Sequence, residues 1–327
     1  MKRGLLFWLL LFKAPIVSAE SEKIIFITAP CVGDLLNHAG YERGLWGTLE
    51  KELKKCGYTL KQTTSIKNLP DFEFLILNDD LYKNIPYPKN KIILMLWEPP
   101  SVIPQSYDKQ NHSPYGKIIT WYDDWIDNQR YFKFYYPEYR SMISDIVDFD
   151  QKKFCTLVAN NKKSPHPNEL YSQRRATIKF FEQLHNTELD LYGHQWPALR
   201  TYKGSIPDKI NCIKKYKFCI CYENIKNITG YISEKIFNCF QAGCVPVYWG
   251  AKNVLDYIPQ DCFIARENFT NNQELYTFLK SITKEQYQTY IDAIRNYLEN
   301  DPRVQLFTRK NCIETIMRAL DITPTNS

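Results

Sequence analysis

Histidine is scarce in this chain, with five scattered residues among 327. No C-x-x-C, H-x-H or H-E-x-x-H pattern occurs, and such patterns are typical of zinc ligands. A structural zinc site is therefore not expected. The ten cysteines fit an oxidising compartment, but their spacing does not indicate a disulfide framework. We expect most of them to be small apolar residues of the core.

Three signatures of common enzyme classes are also missing. The chain has no G-x-G-x-x-G after a strand pattern, no G-x-x-x-x-G-K-[S/T] and no G-x-S-x-G. These absences argue against a NAD-dependent enzyme, a P-loop NTPase and an α/β-hydrolase, respectively.

Charge of one sign does not dominate, because the net charge is only +6. No Lys/Arg tract is dense enough to form a stripe along a nucleic acid, so no nucleic-acid partner is expected. The modest positive charge suits an anionic small substrate or a membrane surface.

The N-terminal apolar run is shorter than the ~20 residues that a membrane-spanning helix needs. It occupies 4–12 after Lys2 and Arg3, and small residues at 17–19 resemble a cleavage site. We interpret residues 1–19 as a signal peptide. A short membrane anchor is the main alternative, and a first buried element is another.

Apolar runs and helical patterns alternate along the rest of the chain. Short apolar runs predict strands at 24–28, 73–78, 91–97, 117–121, 154–160, 188–193, 215–224 and 245–249. Helical spacing predicts helices at 44–56, 169–184, 231–242, 271–281, 284–299 and 303–320. Continuous apolar strands between helices favour mostly parallel sheets that are covered on both faces.

This alternation runs through two series, with a charged break near 144–153. We therefore predict an α/β fold of two Rossmann-like domains with a cleft between them. The predicted domains occupy 22–147 and 148–302. A C-terminal helix and tail at 303–327 are expected to cross back onto the first domain.

The segment 223–250 contains a pattern that favours an anion site. If a helix starts at Tyr231, four polar side chains share one face. They are Tyr231, Glu234, Lys235 and Asn238. Free N–H groups at a helix N-terminus attract anions, and Lys235 is out of place there unless an anion such as a phosphate is bound. The alternative is a solvated Glu–Lys pair on a surface helix.

The same region resembles the donor-binding core of glycosyltransferase family 10, the α-1,3/4-fucosyltransferases. The resemblance is carried by Tyr222-Glu223-Asn224, by Gly-Tyr-Ile-Ser-Glu-Lys at 230–235 and by Cys-Val-Pro-Val-Tyr-Trp-Gly at 244–250. Ser233 stands where threonine is usual, which keeps the hydroxyl group. The resemblance implies a GT-B-like fold, in which the first domain binds the acceptor and the second binds a GDP-sugar.

The resemblance also implies which residues bind the donor. Contacts with GDP-fucose are expected from Asn224, Tyr231, Glu234 and Lys235, with Lys235 near the diphosphate. The family has a second cationic group early in the first helix of the donor domain. Arg174 is our choice for it, with Arg175 as the alternative. A planar guanidinium suits this role because it binds diphosphate oxygens bidentately.

Sugar transfer also needs a carboxylate that takes the proton of the acceptor hydroxyl. Glu98 directly follows the apolar run 91–97 and precedes Pro99 and Pro100, so we expect it at a strand tip that faces the cleft. The family places its proposed base in a similar strand–Glu–Pro element, with serine frequent where Pro99 stands. Alternatively, Glu98 caps the loop or pairs with a lysine.

Aromatic residues and carboxylates are dense at 120–138, a segment that the resemblance places on the acceptor side of the cleft. Asp123 or Asp124 is expected to bind acceptor hydroxyls, and Trp121 or Trp125 to stack on sugar rings. An ordinary aromatic core is the alternative for the tryptophans.

The motif Asp148-Phe149-Asp150 resembles the D-x-D metal motif of other glycosyltransferases, but it lies in the charged break between the domains. We interpret it as a solvated linker. Because Lys235 and Arg174 can stabilise the leaving diphosphate, we expect neither a metal nor another cofactor to be required.

Together these features predict inverting transfer of L-fucose from GDP-fucose to a GlcNAc- or glucose-type hydroxyl of a glycan, in an α-1,3 or α-1,4 linkage. Glu98 acts as the base, and Glu234 holds donor hydroxyls. The alternatives are a GT-B transferase for another nucleotide sugar and a secreted carbohydrate-binding protein without turnover. The leader implies export or membrane association, Golgi-like in a eukaryote, with a role in protein glycosylation.

Overall fold

The structure is a computed structural model that describes residues 22–28, 41–184 and 188–323. The predicted leader at 1–19 and the last residues of the predicted tail lie outside these ranges. Within them, no helix combines the length and the apolar character that a membrane crossing requires.

The first sheet consists of six parallel strands. They are β1 (Lys23–Thr28), β2 (Tyr58–Thr63), β3 (Phe74–Asn78), β4 (Ile92–Leu96), β5 (Lys117–Thr120) and β6 (Tyr131–Lys133). Their order across the sheet is β2-β1-β3-β4-β5-β6. All five residues of β4 are buried, as expected for an inner strand that is covered on both faces. Helix α1 (Tyr41–Lys55) packs on this sheet with Trp46, Leu49 and Leu53.

The second sheet has five parallel strands. They are β7 (Lys153–Val158), β8 (Leu189–Tyr192), β9 (Tyr216–Tyr222), β10 (Val245–Trp249) and β11 (Ile264–Ala265). Their order is β11-β10-β9-β7-β8. The associated helices are α2 (Tyr171–Gln183), α3 (Lys209–Ile213), α4 (Glu234–Gln241), α5 (Asn272–Ser281) and α6 (Lys284–Asn300). Two successive parallel α/β units confirm the predicted fold class.

The last helix, α7 (Arg309–Ala319), returns to the first sheet. It packs against α1, β5 and β6, with Cys312, Ile313 and Ile316 in the first core. The predicted helix at 303–320 is thus two elements, since a 3-10 turn occupies Pro302–Phe307. The Thr308 side chain then accepts the backbone N–H of Asn311 at 3.3 Å and caps α7.

Every predicted strand is present, whereas β2, β6 and β11 were not predicted. Strand β2 lies at a sheet edge, and only Leu60 of its six residues is buried. Its polar sequence therefore lacks the apolar run that marks an inner strand. Strands β6 and β11 have three and two residues, too few for an alternation of apolar and polar residues to be recognised.

Candidate active site

The helix of the predicted anion site begins later than predicted. Helix α4 starts after Ser233, which is extended (φ −96°, ψ −168°). The carboxylate of Glu223 accepts the backbone N–H of Ser233 at 2.8 Å and its hydroxyl at 2.7 and 2.9 Å. This carboxylate holds the incoming segment extended. The prediction that Tyr231 lies in the first helical turn is therefore wrong.

Tyr231 instead reaches the site from the loop between β9 and α4. Its side chain is buried, and its ring centroid lies 4.7 Å from that of Trp121 and 5.9 Å from that of Tyr136. Its hydroxyl accepts a hydrogen bond from Nδ2 of Asn224 at 3.4 Å. Tyr231 therefore packs against the first half of the chain and keeps contact with a predicted donor-binding residue.

Lys235 lies in a cluster of negative charge at the start of α4. Its Nζ is 3.0 Å from Oε2 of Glu223, 2.8 Å from Oγ of Ser233 and 3.6 Å from Oε1 of Glu234. Burial alone would lower the pKa of Lys235, but the two carboxylates raise it above its ordinary value. The ammonium group is therefore charged and held in a fixed position.

Glu223 was not predicted as a site residue, although it stands in the Tyr222-Glu223-Asn224 motif. Its side chain is completely buried, and a buried carboxylate without partners would be costly. Its bonds to Ser233 and Lys235 explain how it is tolerated at the end of β9. The sequence signal that could have identified Glu223 is an acidic residue directly after the apolar run of an inner strand.

Glu234 is partly exposed and lies between two lysines. Its Oε1 is 3.6 Å from Nζ of Lys235 and 3.9 Å from Nζ of Lys209. Burial would raise the pKa of Glu234, but the two ammonium groups lower it to about 2. Lys209, the first residue of α3, was not predicted to belong to this site.

Arg174, and not Arg175, lies at the carboxyl end of β9. The Arg174 side chain is buried, and its Nη2 donates to the carbonyl oxygens of Tyr222 at 2.6 Å and Glu223 at 2.7 Å. It also donates to Oδ1 of Asn224 at 3.1 Å. Lys209, Lys235, Asn238 and Arg174 line one crevice. Arg175 instead donates to the carbonyl oxygen of Lys162 at 2.6 Å.

Glu98 lies two residues beyond the end of β4, at the strand tip where it was predicted. Burial raises the pKa of Glu98, the positive charges of Lys235 and Lys162 oppose this rise, and the negative charge of Glu234 adds to it. All three of these charges belong to the second half of the chain. The Glu98 carboxyl group therefore lies within electrostatic reach of the charged cluster at the start of α4, across the boundary between the two halves.

The predicted acceptor residues are placed differently from one another. Trp121 is fully buried and donates from Nε1 to the carbonyl oxygen of Trp97 at 3.0 Å. The Trp121 ring therefore belongs to the core, which was the alternative for the tryptophans, and it is not exposed for stacking on a sugar. Trp125 is partly buried, and its ring centroid is 5.4 Å from that of Tyr107.

Asp123 fastens the two halves to each other. Its carboxylate lies 2.5 Å from Nζ of Lys133 and accepts from Nδ2 of Asn253 at 2.9 Å and from the Tyr257 hydroxyl at 2.8 Å. These three bonds give Asp123 a structural role between the halves that the sequence did not predict. Asp124 is exposed and accepts a hydrogen bond from the hydroxyl of Thr229 at 2.9 Å.

The Asp148-Phe149-Asp150 motif lies away from this cluster. A 3-10 turn occupies Phe149–Gln151, and Asp150 lies 2.6 Å from the exposed Nζ of Lys284. In the described ranges, no group of three or more His, Cys, Asp or Glu side chains is arranged to hold a metal. The nine described cysteines are unpaired, and eight of them are buried, as their interpretation as core residues requires.

A roomier cavity of about 840 Å³ lies elsewhere, between β11, α5 and α6. Phe263, Phe269 and Phe278 contribute to its lining. None of the predicted site residues lines it. The candidate active site is therefore identified by its charged groups and not by cavity size.

Comparisons with known proteins agree with this arrangement. A model described as glycosyltransferase family 10 (fucosyltransferase), C-terminal part, matches residues 147–312, which is half of the chain. The bovine 4-galactosyl-N-acetylglucosaminide 3-alpha-L-fucosyltransferase 9 is 31% identical over 158 residues, 47% of this chain and 40% of the relative. The alpha-(1,3)-fucosyltransferase FucT of Helicobacter pylori is 24% identical over 163 residues, 50% of this chain and 31% of the relative.

Solved structures show similarity of fold over nearly the whole chain. An alpha1,3-fucosyltransferase with GDP superposes with a TM-score of 0.61 at 17% identity, covering 93% of this chain and 92% of that one. T4 phage BGT in complex with UDP and Mn²⁺ gives a TM-score of 0.54 at 12% identity, covering 92% and 100%. These likenesses confirm the GT-B-like architecture.

The matched segment spans only about 40% of the length of the first curated relatives. The family model, however, covers both strand β9 with its Glu223-Asn224 end and the whole of α4. The chain therefore belongs to glycosyltransferase family 10, the fucosyltransferase family.

Proposed function

We propose that this chain transfers L-fucose from GDP-fucose to a GlcNAc- or glucose-type hydroxyl of a glycan, in an α-1,3 or α-1,4 linkage. One observation carries the proposal. Glu98 stands at the tip of β4 on the first half, and Lys235 is fixed by Glu223 and Ser233 at the start of α4 on the second half, near enough for its charge to oppose the rise in the pKa of Glu98. Family membership supplies the donor and the type of reaction.

On the donor side, Lys235 and Arg174 would neutralise the diphosphate. Both side chains line the crevice at the carboxyl ends of β7 and β9. Open parallel sheets bind ligands at this edge, and the N–H groups that begin α4 favour an anion there. Asn224 and Tyr231 lie beside Arg174 and would complete the contacts with GDP-fucose.

The reaction would be a single displacement with inversion at the anomeric carbon. The acceptor oxygen forms a bond to that carbon while the bond to the diphosphate oxygen breaks, and GDP departs with both electrons of that bond. Glu98 takes the proton of the acceptor hydroxyl. Glu234, ionised because its pKa is lowered to about 2 by nearby lysines against the effect of burial, would accept hydrogen bonds from donor hydroxyls as positive charge develops on the sugar.

On the acceptor side, Asp124 is the more exposed of the two carboxylates predicted to bind acceptor hydroxyls. It lies on the first half and bonds to Thr229 of the second half. We propose that Asp124 contributes to the acceptor site, with Trp125 beside it.

We also propose that catalysis requires no metal, because Lys235, Arg174 and the helix N-terminus provide positive charge for the leaving GDP. Transfer assayed in excess EDTA should keep the rate seen with added Mn²⁺. A rate that collapses in EDTA and returns with the metal would contradict this part of the proposal.

Donor identity is tested by comparing GDP-fucose, GDP-mannose and UDP-sugars in hydrolysis and transfer assays. The proposal expects turnover with GDP-fucose and an α-linked product. The fold similarity to T4 phage BGT with UDP makes preference for a UDP-sugar the informative opposite result. Binding of glycans without turnover of any nucleotide sugar would identify a carbohydrate-binding protein instead.

We further propose export or membrane association, on the basis of the leader at 1–19. Determining the N-terminus of the mature protein tests it. A start near residue 20 supports a cleaved signal peptide, and an intact leader that fractionates with membranes supports an anchor. An intact leader in the soluble fraction would contradict both.

A further inference from the structure

Every backbone N–H and carbonyl group of Trp97 and Glu98 forms a hydrogen bond with a side chain. The carbonyl oxygen of Trp97 accepts from Nε1 of Trp121 at 3.0 Å and also from the Tyr136 hydroxyl. The carbonyl oxygen of Glu98 accepts from the Tyr107 hydroxyl at 2.9 Å. Loops outside regular elements often leave such groups to water, so these bonds fix the backbone at the tip of β4.

Both N–H groups of this dipeptide donate to one carboxylate, that of Asp79. Oδ1 of Asp79 lies 2.8 Å from the Trp97 nitrogen and 3.4 Å from the Glu98 nitrogen. Oδ2 lies 3.2 Å from the Glu98 nitrogen. The backbone N–H of Asp79 donates in turn to the carbonyl oxygen of Met95 at 2.8 Å. Asp79 thus extends the pairing of β3 with β4 beyond the strand ends.

The backbone of Asp79 adopts the left-handed conformation, with φ +53°. Most residues other than glycine pay for this conformation, whereas Asp and Asn tolerate it. Such conformations persist where the surroundings hold them, and they concentrate at functional sites. At Asp79 the left-handed turn aims the carboxylate at the neighbouring strand tip.

We propose that Asp79 is a positioning residue for the reaction, which fixes the backbone of Glu98 so that the Glu98 carboxyl group faces the donor. The inference rests on the proposed function, in which Glu98 is the base. A carboxylate is required because both of its oxygens accept hydrogen bonds. An amide at the same place would turn one N–H donor towards another.

Asp79 and Glu98 ionise in sequence. Burial raises the pKa of Asp79 to about 7, against the effect of its two N–H partners, and the negative charge of Glu98 contributes to the rise. Glu98 therefore ionises first, and Asp79 is still protonated while Glu98 titrates. The other groups that influence or are influenced by Glu98 are Lys162, Glu234, Lys235, Tyr107, Tyr136, Tyr171 and Tyr231.

The test compares Asp79→Asn with Asp80→Asn. Asparagine keeps the left-handed backbone accessible, so the first variant replaces one carboxylate oxygen with an N–H donor and leaves the rest of the turn unchanged. Asp80 bonds to the Tyr82 hydroxyl at 2.9 Å and is the matched control. We expect Asp79→Asn to lower kcat by about 10- to 100-fold, as small displacements of a reacting group do. Its KM for GDP-fucose and its affinity for GDP should stay unchanged, and Asp80→Asn should match the wild type.

A double variant adds a readout that a structural role alone would not move. If Asp79 acts through Glu98, Asp79→Asn combined with Glu98→Gln should be no slower than Glu98→Gln alone. Because Asp79 is protonated while Glu98 titrates, Asp79→Asn should leave the acidic limb of kcat/KM in place. Additive losses, or Asp79→Asn with wild-type kcat, would overturn the positioning role.

Failure of the inference is separable from failure of the proposed function. If Glu98→Gln is fully active, the base assignment fails whatever Asp79→Asn does. If Glu98→Gln is inactive and Asp79→Asn is normal, only the role of Asp79 fails. Should Asp79→Asn not fold, Tyr107→Phe removes the bond to the Glu98 carbonyl and is expected to lower kcat at constant GDP affinity. A normal kcat for that variant would contradict fixation of the tip.

Discussion

At the scale of single residues, Glu223 determines where the positive charge of Lys235 lies. Its buried carboxylate binds the Lys235 ammonium group at 3.0 Å and the Ser233 hydroxyl at 2.7 Å. Exposed ion pairs contribute little and leave lysine side chains mobile, whereas a buried, hydrogen-bonded pair has one geometry. The charge that would meet the diphosphate is therefore present before the donor arrives.

Replacing Lys235 by methionine should weaken GDP binding by about 10- to 100-fold, because a charge-assisted hydrogen bond contributes roughly 1.5–3 kcal/mol. Isothermal titration of GDP into the purified variant measures the change. Lys310→Met is the control, since the Lys310 side chain is 87% exposed. Equal affinities in the two variants would remove Lys235 from the donor site.

The pKa of Glu98 predicts the acidic limb of the pH–rate profile. Burial raises this pKa above its ordinary value despite the opposing charges of Lys235 and Lys162. A base works only when deprotonated, so kcat/KM should fall as the pH is lowered through a pKa higher than that of an exposed glutamate. Measurement of kcat/KM across pH checks this. A limb at the ordinary glutamate value would contradict the raised pKa.

At the scale of elements, the loop that precedes α4 is shaped by close contact with the first half. Gly230 has φ +81°, and a Cβ atom there would lie 2.3 Å from the carbonyl oxygen of Trp121. The loop therefore needs glycine at this position, both for the positive φ and for the close approach of its backbone to Trp121. This contact brings Tyr231 against Trp121 and sets where α4 begins relative to Glu98.

Gly230→Ala should destabilise the protein more than Gly204→Ala does. Gly204 also has a positive φ, of +94°, but a Cβ atom there would meet nothing within 4 Å. We expect about 1–2 kcal/mol of loss at Gly204 from backbone strain and about 1–3 kcal/mol more at Gly230 from overpacking. Denaturant unfolding of both variants measures the difference. Equal losses would show that the contact with Trp121 contributes nothing.

The elements that the sequence predicts well are those with local signals. Strands β3 and β4 are buried apolar runs, and α6 has regular helical spacing with a Thr283–Gln286 capping box. The start of α4 depends on Glu223, which lies ten positions before Ser233 and is brought to it only by the fold. The burial of Trp121 likewise depends on Trp97 and Tyr231, so spacing alone could not predict it.

The residues of the candidate site also differ in whether a local sequence signal marks them. Glu98 and Lys235 could be predicted because each follows a strand or begins a helix within a recognisable motif. Asp79 and Lys209 were missed since their partners are distant in sequence, at Glu98 and Glu234. A pair of aspartates after the apolar run of β3 was the one local signal for Asp79.

At the scale of the whole molecule, the two halves are joined by a polar network and by α7. Lys133 is 9% exposed, and its ammonium group pairs with Asp123 of the same half, which also binds Asn253 and Tyr257 of the other. Burial lowers the pKa of Lys133, and the negative charge of Asp123 opposes this. The network holds the half that carries Glu98 against the half that carries Lys235.

Asp123→Ala should destabilise the protein by about 3–5 kcal/mol, because it leaves the Lys133 ammonium group buried without its carboxylate. The double variant Asp123→Ala/Lys133→Met should recover part of this loss. Denaturant unfolding of the single and double variants measures both values. If the double variant loses as much as the sum of the single ones, the ion pair does not account for the effect.

The central claim is that Glu98 takes the acceptor proton opposite a donor held by Lys235. Its most direct test is fucose transfer from GDP-fucose by Glu98→Gln, with GDP affinity measured on the same preparation. We predict a fall in kcat of about 100-fold or more with GDP affinity within roughly twofold of the wild type, since general bases contribute 10²–10⁴-fold. Unchanged transfer by the variant, or no binding of GDP by the wild type, would contradict the claim.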